Sequence, residues 1–452
     1  MAVVLVVDGG GRGHALARAY LTNTSVRKVI VAPGNEGMRD DVINDPSSSE
    51  YSGMIVPDAR GSLKNPESIL ALAREYKSDL IDVAQDDALA AGTIDLLRNE
   101  GFRTFGPTRA AAQIEWDKVW SREFMTKQSI STPEYRAFTR EENPLPYALD
   151  LLKTHRRVFF KAGGLYAGKG VIDANDEVSA QIALKKLQEM GSAAQQFLVE
   201  GGIEGEEFSY YAIVDGEHFQ CFPSAQDNKR ALNGDEGEMT GGMGAHSPAL
   251  VTAGLERRIE EEIFKPAIHG LVAEGRPYTG ILYLGGMYNA STGKLVVIEF
   301  NSRWGDPECQ VILPGIAVNE GSTDYFTLIN NAIDSTLDRT GFHTDGLSRV
   351  CVVGASRGYP GDYSGVKGKR LLIDYNRLPD GVHFLSAGVS VIDNKLLANG
   401  GRVFNVVAEG EDVIEARTRA LQAMACCDIA GNNLHYRTDV AWRDVERARQ
   451  KK

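Results

Sequence analysis

A glycine-rich segment between residues 160 and 171 is the strongest local indication of phosphate binding. One lysine ends an apolar run and a second lies in a loop with four glycines: Lys161, Lys169, Gly163, Gly164, Gly168 and Gly170. Glycines let backbone amides approach phosphate oxygens closely, and lysine adds mobile positive charge. The loop is not a Walker A motif, because a glycine follows its second lysine where Ser or Thr is required. The pattern predicts a phosphate-binding loop, and a hairpin with solvated lysines is the alternative.

A second segment, residues 297–308, carries the residue types of a metal site. If a strand runs through residues 295–300 and its alternation continues, Glu299, Asn301 and Arg303 share one face, and Ser302 lies on the other. Carboxylate and amide oxygens suit Mg²⁺ shared with nucleotide phosphates, and a guanidinium can offset charge on a transferring phosphoryl group. The segment predicts a metal and phosphate site. A polar, exposed strand face is the alternative.

Residues 224–230 and 240–245 form a third candidate site. Asp227 and Lys229 lie in the first segment, and the second is a glycine-rich turn that includes Gly242. An acid can bind an ammonium group while a cation binds a carboxylate, so the two segments could hold a zwitterion. Taken separately, each segment could equally be a surface loop.

The composition limits the class of protein. The 452 residues suit roughly three domains, and the formal net charge of −12 argues against a general nucleic-acid binder. Five scattered cysteines without a CxxC pair indicate neither a disulfide framework nor a thiolate metal site. No apolar run reaches membrane-spanning length, and the first residues read as a strand and not as a signal peptide. We therefore expect a cytoplasmic protein without nucleic-acid or membrane partners.

Short apolar runs alternate with helical stretches over the first 110 residues. Strands are predicted at residues 3–7, 28–31, 80–83 and 103–105. This alternation predicts a parallel sheet with helices on both faces. A glycine cluster follows the first strand, but such a turn alone is weak evidence for a nicotinamide dinucleotide because it binds many anions.

The three candidate segments, in this order and spacing, closely resemble the phosphoribosylamine–glycine ligase (glycinamide ribonucleotide synthetase) family of ATP-grasp enzymes. The resemblance covers nearly the whole chain, in the segments 10–17, 32–35, 105–108, 167–171, 240–245, 299–308, 358–363 and 399–403. It implies an α/β and α+β multidomain fold. The implied domains are a Rossmann-like domain (1–110), an ATP-grasp domain (111–333, with a lid at about 132–200) and a small α+β domain (334–452).

The resemblance also implies a reaction and its site residues. Glycine would be joined to 5-phosphoribosylamine, through a glycyl phosphate made from ATP, in purine biosynthesis. The implied nucleotide-binding residues are Lys118, Lys161, Gly164, Gly168, Lys169, Gly170, Glu200 and Glu207. Glu299 and Asn301 would hold Mg²⁺ or Mn²⁺, and the implied catalytic residues are Arg303, Asp227, which would help seat glycine, and Lys229. The implied substrate-binding residues are Gly10, Arg12, His14, Asn35, Gly242, Gly305 and Asp306.

Departures from the family pattern are concentrated where the amine should bind. Gly13 replaces an acid that usually precedes the histidine, residues 84–89 replace the usual G-P-E-x-P-L, and Ser386 replaces a histidine. Two interpretations stay open: a rebuilt pocket for the same amine, in which Asp86 or Asp87 replaces the missing acid, or a ligase for a different amine or acid. An inactive nucleotide-binding relative is the alternative from another class. The oligomeric expectation is a monomer or a homodimer.

Overall fold

A computed structural model describes residues 1–39, 53–166, 170–316 and 323–451. Gly168 and Lys169, two of the predicted nucleotide-binding residues, lie outside these described residues. No helix within the described ranges is both long enough and apolar enough to cross a lipid bilayer.

The N-terminal region is a parallel α/β layer. Its strands are β1 (Ala2–Asp8), β2 (Val26–Pro33), β3 (Met54–Pro57), β4 (Leu80–Val83) and β5 (Thr104–Phe105). Its helices are α1 (Gly11–Leu21), α2 (Pro66–Tyr76), α3 (Asp86–Ala90) and α4 (Thr93–Asn99). The sheet order is β3-β2-β1-β4-β5, and every pairing is parallel. Residues 3–7 are continuously apolar because β1 lies at the centre of the sheet and is buried on both faces. The predicted parallel sheet is confirmed.

A four-stranded antiparallel sheet forms the next layer, which corresponds to the predicted lid. Its elements and the two helices before it are α5 (Gln113–Trp116), α6 (Lys118–Lys127), β6 (Tyr135–Thr139), α7 (Leu145–Leu151), β7 (Val158–Ala162), β8 (Val171–Ala174), α8 (Glu177–Gln188) and β9 (Gln196–Gly201). The sheet order is β6-β9-β7-β8. Asp176 starts α8 as a capping box with Ser179, which satisfies backbone amides at the helix N-terminus.

A second antiparallel sheet, ordered β11-β10-β16-β17, forms the floor of the same region. Its elements and neighbours are β10 (Glu206–Gly216), β11 (Phe219–Cys221), β12 (Gln226–Asp227), β13 (Arg230–Leu232), β14 (Glu236–Met239), β15 (Gly244–Ser247), α9 (Glu256–Ile259), α10 (Lys265–Ala273), β16 (Tyr278–Asn289), β17 (Lys294–Asn301), α11 (Cys309–Ile312) and α12 (Tyr325–Ile333). The long β10 pairs with β16 over its whole length, and the two strands form the base of the layer.

The C-terminal region is a small α+β unit, as the resemblance implies. Its elements are β18 (Ser348–Ser356), β19 (Leu371–Ile373), β20 (Val382–Ser386), β21 (Val389–Ile392), β22 (Lys395–Ala398), β23 (Arg402–Gly410), α13 (Val413–Met424), β24 (Cys427–Ile429), β25 (Leu434–His435) and α14 (Trp442–Lys451). The main sheet runs β12-β15-β18-β23-β20. Since β12 and β15 come from the chain before residue 333, this sheet crosses the predicted boundary between the second and third domains. That boundary stays a prediction.

Candidate active site

A cleft of about 610 Å³ opens between the floor sheet, the lid sheet and the N-terminal region. It brings together thirteen of the predicted site residues: Arg12, Lys118, Lys161, Gly170, Glu200, Glu207, Asp227, Lys229, Glu299, Asn301, Arg303, Gly305 and Asp306. Residues almost 300 positions apart in the chain therefore face one space. Five other predicted residues do not line it: Gly10, His14, Asn35, Gly164 and Gly242.

At the lid side of the cleft, Glu200 is held between two cations. Its carboxylate accepts from Arg122 Nε at 2.6 Å and lies 2.7 Å from Lys161 Nζ. All three side chains are buried. Burial alone would raise the pKa of Glu200, but the two cations outweigh it and lower the pKa to about 2. Burial lowers the pKa of Lys161, which Glu200 partly offsets. Lys161 is thus placed by an ion pair before any phosphate binds.

A second ion pair lies on the floor of the cleft. Lys229 Nζ is 2.8 Å from Glu207 and 3.9 Å from Asp227. The nearby Lys229 lowers the pKa of Glu207. Burial, together with Glu308 and Glu207, raises the pKa of Asp227 to about 7, against the opposing effect of Lys229. Asp227 is therefore the less firmly ionised of the two carboxylates that share Lys229.

Glu299 and Asn301 come from the end of β17, as predicted. Within the described ranges neither side chain forms an ion pair, and Asn301 Nδ2 is buried without a hydrogen bond. Burial raises the pKa of Glu299, but Lys118, Lys229, Lys161 and Arg303 together lower it. A carboxylate and an amide facing a cleft rich in cations suit a divalent ion shared with phosphate oxygens. No cluster of three or more His, Cys, Asp or Glu side chains with metal-binding spacing occurs in the described part of the chain.

Arg303 is positioned by Glu115 of α5. Arg303 Nη2 lies 2.9 Å from Glu115 Oε1, while the Ser302 backbone amide and hydroxyl both donate to Glu115 Oε2 at 2.8 Å. The strand alternation predicted Ser302 and Arg303 on opposite faces. In line with that prediction, Arg303 lines the cleft with Glu299 and Asn301 whereas Ser302 does not. Because β17 ends at Asn301, one carboxylate still reaches both Ser302 and Arg303.

At the N-terminal side, Arg12 spans two regions of the fold. Its Nε donates to Asp8 at 2.6 Å and its Nη1 donates to the Trp304 carbonyl at 2.8 Å. With its amide oriented to satisfy both neighbours, Gln85 accepts from Arg12 Nη2 at 3.0 Å and donates to Asp86 at 2.6 Å. Gln85 and Asp86, where the sequence departs from the family pattern, therefore face the cleft beside Arg12.

Two predicted residues meet the C-terminal region instead of the cleft, and a third, Gly10, lies beside Asp306. The Ser386 amide donates to His14 Nδ1 at 2.9 Å, and the Ser386 hydroxyl donates to Asn35 Oδ1 at the same distance. Gly10 lies close to Asp306, since a Cβ on it would be 3.4 Å from the Asp306 carboxylate. The position that departs from the family histidine thus contacts two of the residues that match the family.

The other two predicted glycines outside the cleft, Gly164 and Gly242, contact other parts of the protein. Gly164 donates its amide to the Ala193 carbonyl at 3.0 Å. Gly242 has a φ of +111°, and a Cβ on it would lie 2.6 Å from Pro307. Gly242 therefore needs to be glycine on both conformational and steric grounds.

Sequence reasoning missed several residues that complete the cleft. Arg122, Glu115, Glu308, Tyr283 and Arg402 line it, and the first two anchor predicted residues. Arg402 donates to the Asp306 carboxylate at 2.9 Å from the C-terminal region. For Arg122 and Glu115 a signal existed, because a buried charge within an apolar helical pattern needs a partner. That signal does not identify the partner.

This combination of layers and cleft has the architecture of an ATP-grasp enzyme. Three family models match the chain in order: the phosphoribosylglycinamide synthetase N domain at residues 2–115, its ATP-grasp (A) domain at 116–309 and its C domain at 349–443. A phosphoribosylamine–glycine ligase from Streptococcus pneumoniae is 36% identical over 98% of this chain and 100% of its own length. The chain belongs to the phosphoribosylglycinamide synthetase family.

Another relative and two solved structures support the same family or fold. A trifunctional purine biosynthetic protein from Bos taurus is 36% identical over 98% of this chain, which spans 42% of that longer protein. The crystal structure of phosphoribosylamine–glycine ligase from Thermotoga maritima has a TM-score of 0.76 at 27% identity and covers 97% of this chain and 100% of its own. Biotin carboxylase from Campylobacter jejuni, at 14% identity and a TM-score of 0.66 over 96% of this chain and 93% of its own, shares the fold.

Proposed function

We propose that the protein joins glycine to 5-phosphoribosylamine to give glycinamide ribonucleotide, ADP and phosphate, as a step of purine biosynthesis. The observation that carries the proposal is the cleft that collects Lys161, Glu299, Asn301 and Arg303 from separate layers of a chain that belongs to this family. The enzyme class is an ATP-dependent ligase that forms a C–N bond.

The first step activates glycine. A carboxylate is a poor electrophile, so one glycine oxygen attacks the γ-phosphorus of ATP, the bond to the ADP oxygen breaks, and glycyl phosphate forms. Lys118 and Lys161 are the cations we assign to the phosphates, and Arg303 is assigned to the transferring phosphoryl group. Arg303 Nε is buried without a hydrogen bond in the described ranges, so it can donate to a substrate oxygen.

Glu299 and Asn301 are the proposed ligands of a divalent cation, Mg²⁺ or Mn²⁺. Such an ion supplies charge neutralisation during phosphoryl transfer. The fit rests on two facts about this chain. Both side chains offer oxygen atoms, and among the described residues neither is engaged in an ion pair that an ion would have to break.

The second step is capture by the amine. The nitrogen of phosphoribosylamine attacks the glycyl carbonyl carbon, the bond from that carbon to the phosphate oxygen breaks, and the amine loses a proton. Water must be kept from the acyl phosphate, and Leu165, Tyr166 and Gly170, which line the cleft, are the residues we assign to this role. Arg12, with Gln85 and Asp86 beside it, is the proposed contact region for the amine substrate.

ADP release tests the proposal. Purified protein receives ATP, Mg²⁺ and glycine, with and without phosphoribosylamine generated in the assay. We expect ADP only when both glycine and phosphoribosylamine are present, with glycinamide ribonucleotide as the co-product by mass spectrometry. ADP formation that does not depend on phosphoribosylamine would mean that the enzyme uses a different amine. The departures from the family pattern at positions 85 and 86 would then belong to the pocket for that amine. No turnover with any amine, despite ATP binding, would support an inactive relative.

A further inference from the structure

A second cavity, of about 490 Å³, lies on the C-terminal α+β unit. It shares no lining residue with the ligase cleft. Its walls are the two-stranded ribbon of β19 and β24, the turn between β21 and β22, and the short turn at residues 375–377. The volume is within the range of about 300–1,000 Å³ that small-molecule sites occupy. The proposed ligase reaction gives this cavity no role.

The outer face of the β19–β24 ribbon is the floor of the cavity. Alternate residues of β19 pack into the core of the unit, so the residues between them face outward: Arg370, Leu372 and Asp374. Leu372 pairs directly with Asp428 of β24, which places Asp428 on the same face. Leu372 is 39% exposed, so an apolar surface lies among charged side chains.

Five charged side chains line the cavity: Arg370, Asp374, Arg377, Lys395 and Asp428. In the part of the chain that the structure describes, none of these five side chains forms an ion pair or a hydrogen bond. Other arginines of the same unit do form ion pairs, at 2.9 Å or less: Arg349, Arg419 and Arg437. Three cations and two acids give the cavity a positive excess, although the whole chain carries a net charge of −12.

The three cations come from separate elements that the fold holds in place. Lys395 follows a tight turn, in which Asp393 and Asn394 have φ of +49° and +57° and join β21 to β22. The Arg377 carbonyl accepts from the Cys426 thiol at 3.4 Å, which ties the turn at residues 375–377 to the end of α13. The cations are therefore arranged around the cavity before a ligand binds.

The residue types indicate the chemistry of a ligand. Guanidinium and ammonium groups bind phosphate oxygens, and an arginine can donate two parallel N–H bonds to one phosphate. Carboxylates accept hydrogen bonds from hydroxyl groups. A sugar phosphate carries both kinds of group within one small molecule, whereas inorganic phosphate offers nothing to the two acids.

We propose that this cavity binds a pentose phosphate unit. Arg370, Arg377 and Lys395 bind the phosphoryl group, and Asp374 and Asp428 accept from the sugar hydroxyls. The unit can belong to a sugar phosphate or to a nucleoside monophosphate, whose base would then lie on Leu372. Because the cavity is separate from the ligase cleft, the proposal does not depend on which amine the ligase uses.

Cys426 gives a local measure of occupancy, because it is half-buried and lines the cavity. The other cysteines are less reactive. Cys309 and Cys351 are fully buried, and burial raises the pKa of Cys427 to about 12 and that of Cys221 well above its usual value. Iodoacetamide should therefore alkylate Cys426 first in the native full-length protein, with the site and the rate read by tandem mass spectrometry.

The probes are ribose 5-phosphate, guanosine monophosphate and inorganic phosphate, added after Mg²⁺ and a non-hydrolysable ATP analogue have filled the cleft. We expect ribose 5-phosphate, guanosine monophosphate or both to protect Cys426. Inorganic phosphate should need a concentration at least about tenfold higher for half-protection. Protection by guanosine monophosphate alone would support a nucleotide as the ligand, and protection by ribose 5-phosphate alone would support a sugar phosphate.

Variants locate the phosphoryl contact. Arg370→Ala and Arg377→Ala should each raise the probe concentration for half-protection about tenfold, since each removes a charge-assisted hydrogen bond. Arg449→Ala, on the exposed face of α14, is the matched control and should leave protection unchanged. ADP release by Arg370→Ala in the ligase assay should equal that of the wild type. Calorimetric titration of the same probes into wild type and Arg370→Ala gives the affinities without alkylation.

Three results would overturn the proposal. The first is that neither ribose 5-phosphate nor guanosine monophosphate protects Cys426 or gives binding heat that Arg370→Ala reduces. The second is protection that stays the same in wild type, Arg370→Ala and Arg377→Ala. The third is protection by inorganic phosphate at the same concentration as by the sugar phosphates, which would replace the pentose phosphate site by a simple anion site.

Discussion

The two halves of the cleft differ in how their charges are balanced. In the lid half, Glu200 pairs with Lys161 at 2.7 Å and with Arg122 at 2.6 Å, so the acid and the cations are matched before a ligand arrives. In the half toward the N-terminal region, Arg303 and Asp306 are also paired, but Glu308 lacks a cation within 4.0 Å, and Asn301 Nδ2 lacks a hydrogen bond, among the described residues. Paired charges hold the frame, whereas unpaired buried groups are retained at a cost and await a ligand.

The comparison separates two kinds of variant. Changes in the unpaired half should reduce activity or ligand affinity more than stability. Changes in the paired half should reduce stability, because each leaves a buried charge without its partner. The same substitution, Glu to Gln, can be made in both halves.

The largest expected effect on activity comes from Glu299→Gln. We expect kcat to fall about 1,000-fold, since the variant removes a charge that supports phosphoryl transfer. Wild-type thermal stability should be retained, and ADP release at saturating Mg²⁺ is the measurement. A variant with near wild-type turnover would remove Glu299 from the metal site.

Glu200→Gln should have the largest effect on stability. Arg122 and Lys161 would remain buried without their carboxylate, which costs about 3–5 kcal/mol in the free energy of unfolding. Urea denaturation at pH 7 is the measurement. Glu262→Gln provides the matched control, because Glu262 pairs with Arg258 on the exposed surface and should change stability by less than about 0.5 kcal/mol. Equal effects of the two variants would contradict the distinction.

Asp82, in β4 of the N-terminal sheet, allows a test in which protein stability depends on pH. It is 3% exposed and accepts from the Tyr20 hydroxyl at 2.7 Å, and burial raises its pKa to about 7. Because the folded pKa exceeds the unfolded value, the stability that Asp82 contributes is full below about pH 4 and is lost as pH rises through 7. Asp82→Asn should therefore be more stable than wild type at pH 8, by about 4 kcal/mol, and the difference should vanish near pH 4. If the free energies of unfolding of wild type and Asp82→Asn changed in parallel between pH 4 and pH 8, Asp82 would not titrate as described.

The smallest expected effect concerns the turn beside the unpaired half. Gly242 and Gly293 both have positive φ, but only Gly242 has a neighbour that a Cβ would strike, Pro307 at 2.6 Å. Gly293→Ala should cost about 1 kcal/mol from the backbone conformation, and Gly242→Ala about 1–2 kcal/mol more. Thermal unfolding of the two variants measures the difference. Equal costs would mean that the loop adjusts freely around Pro307.

The sequence predicted the residues of the site better than it predicted the partners that hold them. Lys161, Glu299 and Arg303 were identified because their residue types follow predicted strands in a recognisable order. The partners Arg122, Glu115 and Glu308 were not, since each comes from a different element and only the folded chain brings it within 3.3 Å of its contact.

Strand pairing was likewise predictable only where it follows from local sequence pattern. The parallel strands of the first region follow from short-range alternation. The pairing of β15 with β18 joins residues more than 100 positions apart, and local pattern carries no record of it. The predicted roles of Gly10, His14 and Asn35 in substrate binding stay predictions, although the structure places His14 and Asn35 against Ser386.

The most direct test of the central claim follows one oxygen atom. Glycine labelled with ¹⁸O in its carboxylate is supplied with ATP, Mg²⁺ and phosphoribosylamine, and the released phosphate is analysed by mass spectrometry. Activation as glycyl phosphate predicts one ¹⁸O in each phosphate formed, with glycinamide ribonucleotide in equal amount. Unlabelled phosphate, formed by attack of water on ATP, would contradict the account.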